Sequence, residues 1–329
     1  MKFTRQFLSL LATVALPVLA FAQSQTAKQQ APPYETVPND PMNVKIGTLS
    51  NGMKVYMSVY KDAPRIQTLI ATRAGSKNDP EDATGLAHYL EHMLFKGNSH
   101  FGTKDWPKEK AELQVISDLY EQRRKVKDPV ERTKIYAKID SVSQLAAGYA
   151  IANEYDKMMA SIGAQGTNAF TWLEETVYVE DIPSNELEKW ANVEGDRFQE
   201  LTLRLFHTEL EAVYEEFNIG QGRDDNRVYE ALYKELFPTH TYGSQTTIGT
   251  SEHLKNPSMV KIHDYFNKYY VPNNMAIILA GDLDPDKTMK ILEKYFGVWR
   301  AKEVPKWVVK PQAPITKPIE REVFGNEAP

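Results

Sequence analysis

The sequence predicts an α+β fold, an antiparallel-rich mixed sheet with helices packed on it. Two alternating strand patterns, "VKIGTL" and "MKVYMSVY", flank Asn51-Gly52, the favoured pair for a tight type I′ hairpin turn. Further along, strand-like and helix-like stretches alternate, which brings crossover connections and some parallel pairing into the same sheet. The hairpin rules out a purely parallel arrangement.

Taken in order, the chain starts with Lys2 and Arg5 before the apolar run "FLSLLATVALPVLAFA", which ends in Ala20-Phe21-Ala22. A positive start, an apolar middle and an A-x-A end predict a secretory signal peptide over 1–22, cleaved after Ala22. The run is short and broken by Pro17, so no stable membrane span is expected after cleavage. The mature protein is expected to be periplasmic or secreted. Residues 23–42 are polar and proline-dotted and read as a tether. The hairpin follows, and "IQTLIATRAG" is a third strand ended by Gly75.

A helix is expected over Gly85–Lys96, capped by Thr84 and stopped by Gly97. Two amphipathic helices occupy about 107–155, with Leu113, Ile116 and Leu119 on one stripe and Ile135, Ile139, Val142 and Ala146 on the other. Asp128 and Glu131 have the spacing of an N-cap and its partner between them. "GTNAFTWLEETVYVEDI" has strand character, and "NELEKWANVEGDRFQEL" after it has helical character. A further helix spans Glu209–Ile219, then comes a buried-looking strand, "MAIILAGDL", and an amphipathic helix, "PDKTMKILEKYFGVW". A single domain is therefore expected over 43–300. Residues 301–329 read as a proline-containing linker followed by the beginning of a strand.

Composition narrows the function. The net charge of −5 and the lack of a basic run argue against a nucleic-acid partner. With no cysteine, a disulfide scaffold, a thiol nucleophile and a cysteine zinc site are all excluded.

"HYLEH" within Gly85–Gly97 holds the strongest chemical signal. At about 100° per residue, Leu86, Leu90, Met93 and Leu94 form one core-facing stripe. His88 and His92 lie about 40° apart on the other side, with Glu91 beside them. By chance, H-x-x-E-H is expected roughly once in a hundred such chains. Histidines at i and i+4 can present nitrogens to one tetrahedral Zn²⁺, and the adjacent carboxylate can take a proton from water on the metal. The order H-x-x-E-H is the signature of inverzincins. A third ligand must come from elsewhere. In "HTELEAVYEEFNIG", Glu209 and Glu216 share one flank of the Leu210, Val213, Tyr214 and Phe217 stripe, and spacing leaves the two tied. His100, His207, His240, His253 and His263 are isolated and are assigned no role.

From about Leu49 to Trp299 the chain resembles the pitrilysin/insulinase family of zinc metallopeptidases, which includes the mitochondrial processing peptidases. "LSNGMKVYM", "AGSKND", "TGLAHYLEHMLFKG", "GTNAFTWLEETVYV", "EAVYEEF", "TYGSQTTIGTSEHL" and "YYVPNNMAIILAGDLDP" all fall in family order. The resemblance implies one zinc per chain held by His88, His92 and Glu216, with Glu91 as general base and Glu209 orienting a ligand or water. It also implies that an extended peptide substrate pairs with the backbone of Asn168, Ala169 and Phe170.

Two departures stand out. The interval from His92 to Glu216 is longer than the family's, and the helical pair at about 107–155 accounts for the excess. Relatives also pair such a half-clamshell with a second, similar domain, expected here as a missing C-terminal half or a partner chain. The implied function is a zinc metalloendopeptidase acting on peptides or unfolded segments. The rival is a non-catalytic or partner-dependent subunit that is structural or binds peptide.

Overall fold

The computed structural model describes residues 34–309 and 311–325. The expected signal peptide and the first part of the tether lie outside the described residues. The strands are β1 (Glu35–Thr36), β2 (Lys45–Thr48), β3 (Lys54–Val59), β4 (Arg65–Thr72), β5 (Gln165–Thr171), β6 (Thr176–Pro183) and β7 (Met275–Gly281). They form one sheet in the order β1-β2-β3-β7-β4-β6-β5. β3 and β7 run parallel, while every other neighbouring pair is antiparallel. The α+β, antiparallel-rich expectation therefore holds.

The central position of β7 follows from its composition. Met275, Ile277 and Leu279 are buried on one face of "MAIILAG", and both edges of the strand are paired. The hairpin turn differs from the expected type I′. The Leu49 N–H donates to the Met53 carbonyl at 2.9 Å, leaving Ser50-Asn51-Gly52 as a three-residue loop. Only Gly52 needs positive φ, at 91°, which is the pattern of a turn closed by a left-handed glycine. In the stretch expected as a tether, β1 pairs with β2, and the Tyr34 hydroxyl donates to Asp286 Oδ1.

The longer helices are α1 (Leu86–Met93), α2 (Trp106–Lys125), α3 (Pro129–Ala147), α4 (Glu154–Ser161), α5 (Leu187–Arg197), α6 (Phe206–Gln221) and α7 (Asp224–Leu236). Two single turns follow, α8 (Thr241–Ser244) and α9 (Ser251–Leu254), and then α10 (Met259–Tyr269) and α11 (Pro285–Phe296). The expected pair at 107–155 appears as α2 and α3, and the Glu131 N–H donates to the Asp128 carboxylate at 2.8 Å as its spacing suggests. "GTNAFTWLEETVYVEDI" folds as two strands, because Thr171–Thr176 pairing closes a hairpin through Trp172–Glu175. This leaves β5 at the outer edge of the sheet. Residues 319–325 form no strand, and Gln312 and Arg321 instead contact α7 through Leu236 O and Glu235.

A buried ion pair ties the segment after α1 to α2. Arg204 Nε donates to Glu109 Oε1 at 2.6 Å, and both side chains are 1% exposed. The same guanidinium donates to the carbonyls of Lys96, Asn98 and Phe101, so it fixes the chain that leaves the histidine helix. Breaking such a pair leaves a charge buried without its counterion. Glu109→Ala is expected to cost about 3–5 kcal/mol in urea unfolding. A loss below about 1 kcal/mol, the scale of a surface pair, would contradict the anchoring role.

Candidate metal centre

Helix α1 is held in place from both ends and along one face. The core stripe is buried as expected, with Leu86, Leu90, Met93 and Leu94 at 5% exposure or less, and Ala87 and Tyr89 are buried too. Its first turn is not capped by Thr84. Gly85 occupies the cap position at φ 82°, and a Cβ there would meet the Ile248 carbonyl at 2.5 Å. The orphan N–H groups of Gly85 and Ala87 instead donate to the two carboxylate oxygens of Asp79, at 2.8 and 2.9 Å. Burial pushes the Asp79 pKa up to about 8, against the pull of these backbone donors. Thr84 turns to His253, whose Nδ1 lies 2.7 Å from the Thr84 hydroxyl and accepts its N–H at 3.1 Å. The helix also ends earlier than predicted, and Leu94–Lys96 is a 3₁₀ turn before Gly97.

Successive turns of α1 bring His88 Nε2 and His92 Nε2 to 3.2 Å. Glu216 Oε2, from α6, lies 3.6 Å from the first and 3.8 Å from the second. Among the described residues, His88, His92 and Glu216 form the one group of three such side chains whose donor atoms all lie within 4.8 Å of one another. Two ligands about 2.05 Å from a tetrahedral Zn²⁺ are about 3.3 Å apart, so the imidazoles already stand at the separation such an ion requires. The donor set, two imidazoles and a carboxylate with room for a fourth position, is that of a catalytic zinc site.

The two rings differ electrostatically: against the effect of burial, the carboxylates of Glu209, Glu216 and Glu91 raise the His92 pKa and favour a cation there. Burial, and then the neighbouring His92, push the His88 pKa down to about 4, which keeps it neutral at pH 7 and able to donate a lone pair. His92 is held from behind, with its Nδ1 2.9 Å from Glu209 Oε1. Lys96 Nζ lies 2.6 Å from the other oxygen of Glu209. Burial by itself would raise the Glu209 pKa, but the hydrogen bonds from His92 and Lys96 lower it, so the group stays anionic. An anion on Nδ1 fixes the tautomer that turns Nε2 toward the centre. Spacing left Glu209 and Glu216 tied, and their contacts separate them. Glu216 faces both Nε2 atoms, whereas Glu209 sits behind one ring.

Glu91 is 7% exposed and accepts a hydrogen bond from the Thr171 hydroxyl at 2.6 Å. Burial raises its pKa, while that hydrogen bond lowers it in part. A cavity of about 420 Å³ joins Glu91 to His88, His92, Glu216, Asn168 and Ala169. Phe170 lies on the same strand, at 49% exposure. β6 pairs with one side of β5, and among the described residues no strand pairs with its other side, the backbone edge of Asn168–Phe170. Asp79, Thr171, Lys96 and His253 were not picked out from sequence. Thr171, Lys96 and His253 act across long sequence separations, and Asp79 folds back onto the helix through an irregular loop, none of which periodicity registers.

Residues 57–117 match the model described as "Insulinase (Peptidase family M16)", and residues 259–328 match "Peptidase M16 inactive domain". A curated relative, the "Uncharacterized zinc protease YmxG" of Bacillus subtilis, is 24% identical over 82% of this chain and 54% of its own length. The "Probable zinc protease PqqL" of Haemophilus influenzae is 25% identical over 86% of this chain and 26% of its own. The chain thus spans between about a quarter and a half of these relatives. Among solved structures, pitrilysin superposes with a TM-score of 0.60 at 21% identity, covering 84% of this chain and 25% of the other, which supports the shared fold.

Metal analysis of purified variants separates the two glutamates. Glu216→Gln is expected to lower zinc occupancy by more than about tenfold, and Glu209→Gln by a smaller factor, as befits a residue acting through His92. A larger loss for Glu209→Gln would reverse the two roles.

Proposed function

We propose that this chain, which resembles the pitrilysin/insulinase family in motif order, family-model match and fold, is the metal-bearing half of a zinc-dependent endopeptidase. The observation that carries the reading is the shared cavity. Three converging ligand atoms, a buried carboxylate and a free strand edge border the same space. The segment matched by the inactive-domain model, 259–328, contains none of the proposed ligands or the base.

An extended peptide adds to the open edge of β5 through its backbone, so Asn168, Ala169 and Phe170 set its register without selecting many side chains. His88, His92 and Glu216 would hold Zn²⁺, which when bound would supply a Lewis acid for the scissile carbonyl and lower the pKa of water. Glu91 accepts the proton from the attacking water and delivers it to the leaving amine nitrogen. Its Oε2 is held by Thr171, which leaves the second oxygen to move that proton. Glu209 and Lys96 keep His92 in the ligand tautomer. The substrates are peptides or unfolded segments, since only an extended chain pairs along a strand edge.

We further propose that a second, homologous domain or chain closes over this face, because the relatives are longer than the matched region. One solved neighbour is the first half of the periplasmic protease PqqL from Escherichia coli, with a TM-score of 0.62. We place the mature protein in the periplasm or outside the cell on the signal-like N-terminus. Among the described residues, no helix is long and apolar enough to cross a membrane.

Glu91→Gln is expected to keep one zinc per chain while lowering hydrolysis of a quenched peptide by at least about a thousandfold. Turnover within about tenfold of the parent, at equal zinc content, would remove Glu91 as the base. Supplying a homologous C-terminal half, fused or separate, is expected to raise kcat/KM. An unchanged value would make this chain self-sufficient.

A further inference from the structure

A second cavity, of about 830 Å³, lies between the α2–α3 pair and α6. That volume is within the range of small-molecule sites. Arg123, Lys127 and Arg132 reach it from the helical pair, and Lys255 reaches it from the end of α9. None of these four cations has an ion-pair partner among the described residues, whereas neighbouring Arg124 and Lys261 both meet Asp82. Arg123 is partly satisfied by the Lys255 carbonyl and by Asn256, but its Nε is buried without an acceptor.

The rest of the lining sets the kind of ligand. Tyr136 and Tyr214 offer ring faces, and each already lies under a cation, Arg123 at 5.2 Å and Lys255 at 5.0 Å. Leu210 and Leu254 add aliphatic surface. Glu211 and Glu215 line the α6 wall and offset half of the positive charge. That balance favours one negative charge over several, directed at the α2–α3 wall and away from α6.

We propose that this cavity binds a small organic anion, a single carboxylate carried on an apolar body. The apolar part lies against Tyr136, Tyr214 and Leu210, and the carboxylate meets Arg123, Arg132 and Lys127. This gives the helical pair, which has no part in the metal centre, a ligand-binding role. The site is independent of the peptidase reading, since its lining includes no metal ligand.

Calorimetric titration of the full chain with N-acetyl-phenylalanine, N-acetyl-phenylalanine amide and inorganic phosphate tests this. The acid is expected to bind at one site per chain, with the amide and phosphate each at least about tenfold weaker. The Lys127→Gln/Arg132→Gln double variant changes exposed and half-exposed side chains and is expected to keep the parent Tm. It is expected to weaken the acid by at least about tenfold, as is Arg123→Gln separately. Chelation of the metal should leave the acid's affinity unchanged. Equal binding of acid and amide, or of acid and phosphate, would overturn the proposal. So would undiminished binding by the variants, loss of binding on chelation, or no binding of the acid at millimolar concentration.

Discussion

The arrangement rests on one contact, the 3.2 Å approach of two imidazole nitrogens from consecutive turns of α1. Two lone pairs do not remain at that distance unless a proton or a cation lies between them. The surrounding fold holds the rings there from several directions. Asp79 fixes the first turn, the apolar stripe fixes the rotation of the helix, and Arg204 fixes the chain beyond its last turn. The Lys96–Glu209–His92 relay then sets which nitrogen faces inward. The fold thus brings most of the candidate donor set together, and only Glu216, at 47% side-chain exposure, comes from a more open position.

Two sheet features make the centre usable. β5 is an edge strand, so among the described residues its backbone edge is unpaired where it passes the proposed metal ligands. The turn Trp172–Glu175 returns the chain into β6, which keeps Thr171 and its hydroxyl against Glu91. Helix α6 serves two sides. Glu209 and Glu216 face the histidines, while Leu210, Glu211, Tyr214 and Glu215 line the basic cavity under α2 and α3. The two cavities are lined differently, one by two imidazoles with carboxylates and the other by four cations with two carboxylates.

Local signals in the sequence made much of this legible. Period-3.6 apolar spacing gave the buried face of α1, alternating patterns gave β2 and β3, and strand-like runs gave β4 and β7. The H-x-x-E-H spacing gave three of the groups at the centre. What spacing could not decide was which glutamate stands with the two histidines, since Glu209 and Glu216 lie on the same helical flank. Their difference arises from how α6 docks against α1, a tertiary fact. The cap of α1 was misread for a similar reason. Thr84 has the right residue type but lies one residue before the cap, where His253 engages its hydroxyl, and Asp79 reaches the helix from five residues further back. The hairpin turn shifted from two residues to three because Leu49 pairs with Met53, and that choice is set by strand register rather than by the Asn-Gly pair alone.

The most direct measurement is X-ray absorption at the zinc edge of the loaded protein. Two imidazole nitrogens at about 2.0–2.1 Å and one carboxylate oxygen at about 2.0–2.2 Å, with one metal per chain, are the predicted shell, and the oxygen shell should shrink in Glu216→Gln. A shell with fewer than two imidazoles, or one unchanged by that substitution, would contradict the assignment of His88, His92 and Glu216 as the ligands.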